Sequence, residues 1–479
     1  MDIPLLGELI AIALVLLYLG AIACALEVIL KGRTPQGAIA WAISLLTFPV
    51  LTLPFYLIFS RNRFDGYLEQ RDEIETESKR LLAATSGRIE DYVVPRIAGQ
   101  PLYTSLFNLA RMPATRGNKL RLLIDGADTF NDIIAGLERA ETYILFQFYI
   151  IRDDELSRRL CRLLADKARA GVSVFLLYDE IGSRTFHRSR LRRQLLMAGV
   201  EAVPFNTTQG RRNRFQLNFR NHRKVVVVDG SMAWIGGHNV GDEYLGLNKK
   251  IGHWRDTHVR FEGPAVLGAE LAFATDWLWA SREHLKIPWN FSREACGDST
   301  VLVFPSDPAS EYEEAGLMYH QSIVGAEHRV WIASPYFVPD RGIVAALQLA
   351  ALRGVDVRVI IPDEPDGPMV AMANWSFTRE LLASGIKVYR YQGGFMHQKV
   401  LLMDDQLAGI GTANFDNRSF RLNFEITVLA HDEAFAREVE TMLERDMGRS
   451  RQVSLDEFSA KPAWFVLAMA IARLFAPVL

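Results

Sequence analysis

With 479 residues, 49% of them apolar and 23% charged, and a formal net charge of −2, the chain has room for two or three domains and a large core. That composition excludes disordered and fibrous classes, and the near-zero charge argues against a dedicated nucleic-acid binder. Three widely spaced cysteines, Cys24, Cys161 and Cys296, suggest neither a disulfide framework nor a cysteine metal site and fit a reducing compartment.

The first elements are apolar. Leu9 to Leu26 carries no charge between Glu8 and Glu27, long enough to cross a hydrocarbon core of roughly 30 Å. A second uncharged run extends from Thr34 to Ser60 and contains Pro49 and Pro54, which kink a helix or turn it back. Met1 to Glu8 lacks Lys and Arg, and the second run follows at once, so a cleaved signal peptide is disfavoured. Residues 1–60 are expected to form a membrane hairpin, with two transmembrane helices or one transmembrane and one re-entrant helix. Lys31 and Arg33 lie between the runs, whereas Arg61, Arg63, Arg71, Lys79 and Arg80 follow the second, which places the rest of the chain on the cytoplasmic side. Residues 61–100 are charge-rich, then broken by Gly87, Pro95 and Gly99, and read as a linker helix without a catalytic role.

The remainder repeats itself. Tyr143 to Tyr149 after Ala140-Glu141 matches Arg329 to Tyr336 after Ala326-Glu327, each a helix end running into a strand. Gly171 and Gly354 each precede a β-branched run, and Gly199-Val200 and Gly385-Ile386 repeat the pattern. Strands alternating with helices predict an α/β fold of two pseudo-twofold halves, 101–290 and 291–460, each a mixed, mostly parallel sheet flanked by helices. Residues 461–479, nearly all apolar, are expected to form a helix that either closes the core or rests on the membrane.

Each half carries HxKxxxxD: His222, Lys224 and Asp229 with Gly236-Gly237-His238-Asn239 after them, and His397, Lys399 and Asp404 with Gly411-Thr412-Ala413-Asn414. One His-x-Lys alone reads as a surface pair; duplication with matched Gly and Asn removes that reading. On a strand, residues two apart share a face, so each His and its Lys point together. Asp229 and Asp404 stand at an odd separation beside a turn residue, which favours a strand-ending role over the catalytic one their place in the motif suggests. The glycines allow close backbone approach to a ligand, and Asn239 and Asn414 supply uncharged donors for an anion.

This set suits a phosphodiester. Lysines and amides neutralise the non-bridging oxygens, one neutral imidazole attacks phosphorus to form a phosphohistidine, and the other, protonated, serves the leaving alkoxide. No metal or other cofactor is implied, since the lysines supply the positive charge. Each imidazole needs its second nitrogen held, and Asp256 and Glu425, downstream of the two motifs, are the candidate partners. From Gly182 to Lys224, eleven basic residues face a single acid, Glu201, a patch suited to an anionic membrane surface.

The duplicated HxKxxxxD with GGxN and GTxN resembles the phospholipase D superfamily. Gly241 to Gly246, Trp254 to Thr257, Ser334 to Pro339 and Asn414 to Phe420, with the N-terminal hairpin, resemble bacterial cardiolipin synthases over nearly the whole chain. The resemblance implies transfer of a phosphatidyl group from one phosphatidylglycerol to another, giving cardiolipin and glycerol. It implies His222 as nucleophile, His397 as acid and base, Lys224, Lys399, Asn239 and Asn414 around the phosphate, and Asp256 and Glu425 as orienting acids, although the His-to-acid separations (34 and 28 residues) differ. Arg212, Arg214, Arg220 and Tyr336 are the candidate lipid-binding residues. The expected location is the bacterial cytoplasmic (inner) membrane, multi-pass, with phosphatidylglycerol, cardiolipin and the anionic membrane surface as partners and no nucleic acid. A homo-oligomer is compatible with the sequence. The competing readings are a hydrolase with the same site, in which water resolves the phosphohistidine, and a non-catalytic scaffold, which two intact motifs disfavour.

Overall fold

In a computed structural model, residues 3–32, 35–59, 67, 76, 80, 89–94, 101–205, 218–289 and 294–476 are described. The chain divides into two units, Met1–Glu69 with Thr207–Arg220, and Gln70–Asn206 with Asn221–Leu479.

In the first unit, Ile3–Lys31 is one continuous helix, and its portion Gly7–Lys31 is long and apolar enough to cross a membrane. The second apolar run breaks. It forms helices Pro35–Thr47 and Pro49–Phe59, because a proline has no N–H to continue a helix but is well suited to begin one. Ala21, Ala25 and Val28 of the long helix pack with Leu45 and Tyr56, and Trp41 meets Tyr56 edge to face at 5.4 Å. Among the described residues only the first helix spans by length alone. The expected linker over 61–100 falls almost wholly outside the described residues.

The second unit holds one continuous sheet built from two like halves. In the first half the strands run, from edge to junction, Glu201–Phe205, Ser173–Asp179, Tyr143–Phe148, Val225–Val228, Met232–Gly236, Thr257–Glu262 and Thr115–Ile124. The second half repeats that order with Lys387–Tyr391, Asp356–Pro362, Arg329–Ala333, Val400–Met403, Leu407–Gly411, Asn423–His431 and Ser299–Ser306, adding Ser450–Gln452 at its edge. Thr115–Ile124 pairs antiparallel with Ser299–Ser306 and fuses the halves.

Parallel pairing in this sheet is confined to the three outer strands of each half, where a helix carries each crossover. The expectation of a mostly parallel sheet therefore needs correction. The motif strands return through a tight turn, as Val225–Val228 does to Met232–Gly236, and a hairpin pairs antiparallel. The repeated glycines behave as expected: Gly171, Gly199, Gly354 and Gly385 have φ of 94°, 92°, 92° and 82°, ending helices in the left-handed conformation that glycine tolerates. Corresponding helices Glu155–Arg169 and Arg341–Leu352 start on corresponding caps, with Asp154 accepting from Ser157 N and Asp340 from Ile343 N. Ile144, Phe146, Leu176, Val226 and Trp234 lie in one core; Ile332, Leu347, Val359 and Leu401 lie in the other.

Candidate active site

Each motif sits just before its strand rather than within it: Val225 and Val400 begin the ladders, and His222 to Lys224 and His397 to Lys399 lead in. The apolar strands are buried on both faces, so they fix the ends from which these polar side chains emerge.

The imidazoles are held across the halves. His222 Nδ1 lies 3.0 and 2.9 Å from the two carboxylate oxygens of Glu425, and His397 Nδ1 lies 2.7 Å from Asp256 Oδ2. Each histidine is thus served by the acid that follows the other motif. The backbone dictates the exchange. His222 N donates to Phe424 O at 2.9 Å and His397 N to Arg255 O at 2.8 Å, so in both cases the next residue along is the carboxylate. A short parallel ladder of Phe395–Met396 with Trp254–Arg255 sets the second register. The unequal separations within each half therefore have no bearing on the pairing.

A carboxylate on Nδ1 makes that nitrogen the proton donor and leaves Nε2 for chemistry. Glu425 is itself fixed by Thr412 Oγ1 at 2.5 Å and Asn423 Nδ2 at 3.0 Å, and Asp256 by Thr257 N at 2.8 Å and, at 3.4 Å, Trp254 Nε1. Tyr149 stands edge-on to His222 with ring centroids 5.0 Å apart, and Trp254 is 5.1 Å from His397.

Both lysines are buried. Lys224 Nζ donates to His222 O at 2.7 Å and lies 5.4 Å from the Tyr149 ring centroid; Lys399 Nζ donates to His397 O and stands 2.8 Å from His397 Nδ1. Burial drives Lys224 well below the usual lysine range and Lys399 down to about 8, with Asp256 and Glu425 opposing both shifts. Burial, reinforced by the two ammonium groups, also brings His222 down to about 4 against the pull of Glu425, and takes His397 well below the ordinary value. Although burial pushes Glu425 upward, His222 and Lys224 hold it below the usual carboxylate range. The free site therefore holds neutral imidazoles over an ionised carboxylate. Each lysine acts electrostatically on the histidine of the other motif as well as its own, so four motif side chains share one site.

The remaining predicted residues divide. Asn239 Oδ1 accepts from Ile150 N at 3.0 Å, whereas the buried Asn414 Oδ1 has no partner among the described residues. Asp229 and Asp404 are in left-handed turns, each with φ of 50°. Asp229 accepts from the backbone N–H groups of Glu141, Thr142 and Tyr143, and Asp404 from those of Glu327, His328 and Arg329. Their oxygens tie the motif hairpin to the neighbouring strand, which corrects their inclusion among the catalytic candidates on motif position alone. Tyr336 OH donates to Asp366 Oδ2 at 2.5 Å. Arg212 and Arg214 lie outside the described residues. Arg220 belongs to the other unit, where its Nη1 donates to Phe219 O at 2.7 Å.

The glycines serve the site indirectly. A Cβ on Gly237 would stand 2.0 Å from Asp256 Oδ1, and one on Gly411 2.4 Å from Ile426 O; the close approach they permit is to the neighbouring strand, not to a ligand. Two supporting acids escape sequence reasoning. Asp276 binds Arg223 Nη1 at 2.8 Å and Asn221 Nδ2 at 2.7 Å, and Asp446 binds Arg255 Nη2 and Gln398 Nε2. Both lie on helices without a motif, and only the buried arginines they neutralise reveal them. The basic run also splits. Arg184, Arg188, Arg190 and Arg193 are exposed, while Arg223 and Lys224 are buried.

Known proteins resemble this chain in sequence and in fold. The family described as "Cardiolipin synthase, PLD-like domain" matches residues 133–257 and again 319–447, and "Phospholipase D-nuclease N-terminal" matches residues 19–61. The cardiolipin synthase A of Pseudomonas fluorescens is 46% identical over 480 residues, which is 99% of this chain and 98% of the relative. The chain belongs to the cardiolipin synthase family. A cardiolipin synthase A from Pseudomonas entomophila is 45% identical over 97% of both chains. Phosphatidylserine synthase of Haemophilus influenzae Rd KW20 shares the fold, with a TM-score of 0.60 at 15% identity over 79% of this chain and 100% of its own. Membership agrees with the two like halves and with the motif in each, and the N-terminal match falls on the apolar helices.

Proposed function

We infer that this cardiolipin synthase transfers a phosphatidyl group from one phosphatidylglycerol to a second, and the observation that carries the reading is the crossed pair of histidine–carboxylate contacts. His222 Nε2 attacks phosphorus; the bond from phosphorus to the headgroup glycerol breaks, and His397 gives that alkoxide its proton. Glycerol departs. The free primary hydroxyl of the second phosphatidylglycerol then loses its proton to His397 and attacks the phosphohistidine, releasing cardiolipin and restoring His222. In the free site His397 Nε2 holds no proton, and the phosphodiester's own negative charge supplies the field that favours the doubly protonated imidazolium and charges the lysines. Lys224, Lys399 and the amides of Asn239 and Asn414 bear on the phosphoryl oxygens. Asp229 and Asp404 shape the turns.

Arg212, Arg214 and Arg220 are assigned to anionic headgroups or the membrane surface, at about 1 kcal/mol each, and Tyr336 to the lipid near the second histidine. Residues 1–60 form the membrane anchor, with the later apolar pair re-entrant or spanning, 101–290 and 291–460 are the catalytic halves, and both face the cytoplasm. A reporter fused after residue 60 that works only in the periplasm would contradict that side.

The deciding experiment supplies phosphatidylglycerol alone to the detergent-purified protein. Cardiolipin and glycerol in equal amounts are expected; phosphatidic acid as the only lipid product would make the protein a hydrolase.

A further inference from the structure

The helix Ala463–Leu474 has two apolar faces and only one of them is used. Phe465, Met469, Ala472 and Ala476, at helical spacing, are buried against the second half, where Trp375 meets Phe465 at 5.9 Å between ring centroids. The opposite stripe is Trp464, Leu467, Ile471 and Leu474, exposed by 67, 62, 45 and 78%. A solvated helix carries charge there. The single charge within this helix, Arg473, is turned to Glu380 and Phe377 instead.

Its position bears on the site. Asn417 Nδ2 donates to Ala476 O at 3.1 Å and to Val338 O at 2.9 Å, so the end of the helix is fastened to segments that begin at Asn414 and Tyr336. Phe337–Val338 and Phe415–Asp416 pair directly. The underlying helix, Pro368–Leu382, starts two residues after Asp366, the partner of Tyr336.

We propose that this stripe is a docking surface for a lipid bilayer, which seats the second half on the membrane by way of the segments that carry Asn414 and Tyr336. Three observations favour a bilayer as the occupant. The stripe is wholly apolar, a Trp stands at its start in the manner of interfacial helices, and the end of the helix adjoins the segments that carry Asn414 and Tyr336. The inference rests on the reading that the substrate is a membrane phospholipid.

The test uses the full chain reconstituted in phosphatidylcholine vesicles. Leu467→Asp with Ile471→Asp is given phosphatidylglycerol either embedded in the bilayer or as a short-chain, monomeric form in solution. Expected is a loss of at least about tenfold on the embedded lipid with the soluble substrate turned over as before. Equal loss on both, or loss on neither, overturns the proposal. A photoreactive residue in place of Leu467 in the otherwise native chain gives an answer that needs no activity: lipid adducts support docking, and adducts to residues 3–59 or to a second copy overturn it. Should neither substrate yield cardiolipin, the functional reading fails while the adducts still decide the docking.

Discussion

Glu425 and Asp256 each hold Nδ1 of a histidine in the opposite half, so removing either charge leaves a buried imidazole without its orienting partner. Glu425→Gln and Asp256→Asn should each lower kcat by about 10²-fold or more, but with different effects on the intermediate. With His222 as nucleophile, both slow formation of the phosphohistidine, which frees glycerol in the same step, whereas Asp256→Asn also slows attack by the second lipid and so leaves the phosphohistidine longer-lived. Rapid quenching with labelled phosphatidylglycerol separates them, and label trapped on His397 instead would reverse the roles. The pH dependence follows from Lys399, which is charged below about 8. Phosphate binding is proposed to need that charge, and the leaving glycerol a proton that His397 Nε2 lacks in the free site, so kcat/KM should fall with rising pH, more steeply above about 8, and should be lost in acid once His222 takes a proton near 4. An alkaline limb that sits unmoved near 10 would show that Lys399 keeps an ordinary value in the free enzyme.

At the scale of the element, Gly237 matters for what it leaves empty. Gly237→Ala would put a methyl group against the Asp256 carboxylate, costing about 1–3 kcal/mol of stability and displacing the support of His397. Thermal unfolding and kcat of this variant should fall together, and an unaltered kcat would place Asp256 elsewhere during turnover. The motifs themselves are legible in the sequence because they occur twice, with glycine and asparagine at equal spacing, and the helix-Gly-strand units repeat around them. The crossed support is not legible. Sequence order assigns Asp256 to the motif it follows, and the backbone bonds from His397 to Arg255 and from His222 to Phe424 join segments far apart in the chain with no periodicity to announce them. Pairing direction is also hidden, since a run such as Val225–Val228 is apolar on both faces whether its neighbours are parallel or antiparallel. The break at Pro49 agrees with the residue, whereas Pro54 lies within the helix that Pro49 begins and does not end it, so proline alone does not fix where such a run breaks.

Across the whole second unit, the strands Thr115–Ile124 and Ser299–Ser306 make one sheet of two halves, and the histidine–carboxylate contacts cross the same boundary. The halves should therefore unfold together. Val303→Ala, in the buried joining strand, is expected to cost roughly 2 kcal/mol and to move a single calorimetric transition of the detergent-solubilised protein downward without splitting it. Two resolved transitions would mean that each half is stable without the other.

The exchange of carboxylates also sets when the enzyme comes alive during its own synthesis. A nascent chain that has left the ribosome only as far as Asp256 owns a His222 with no Glu425 to hold it and an Asp256 with no imidazole to hold. Half of this chain is then not a slow enzyme, because neither motif histidine has the carboxylate that orients it until the second half is made.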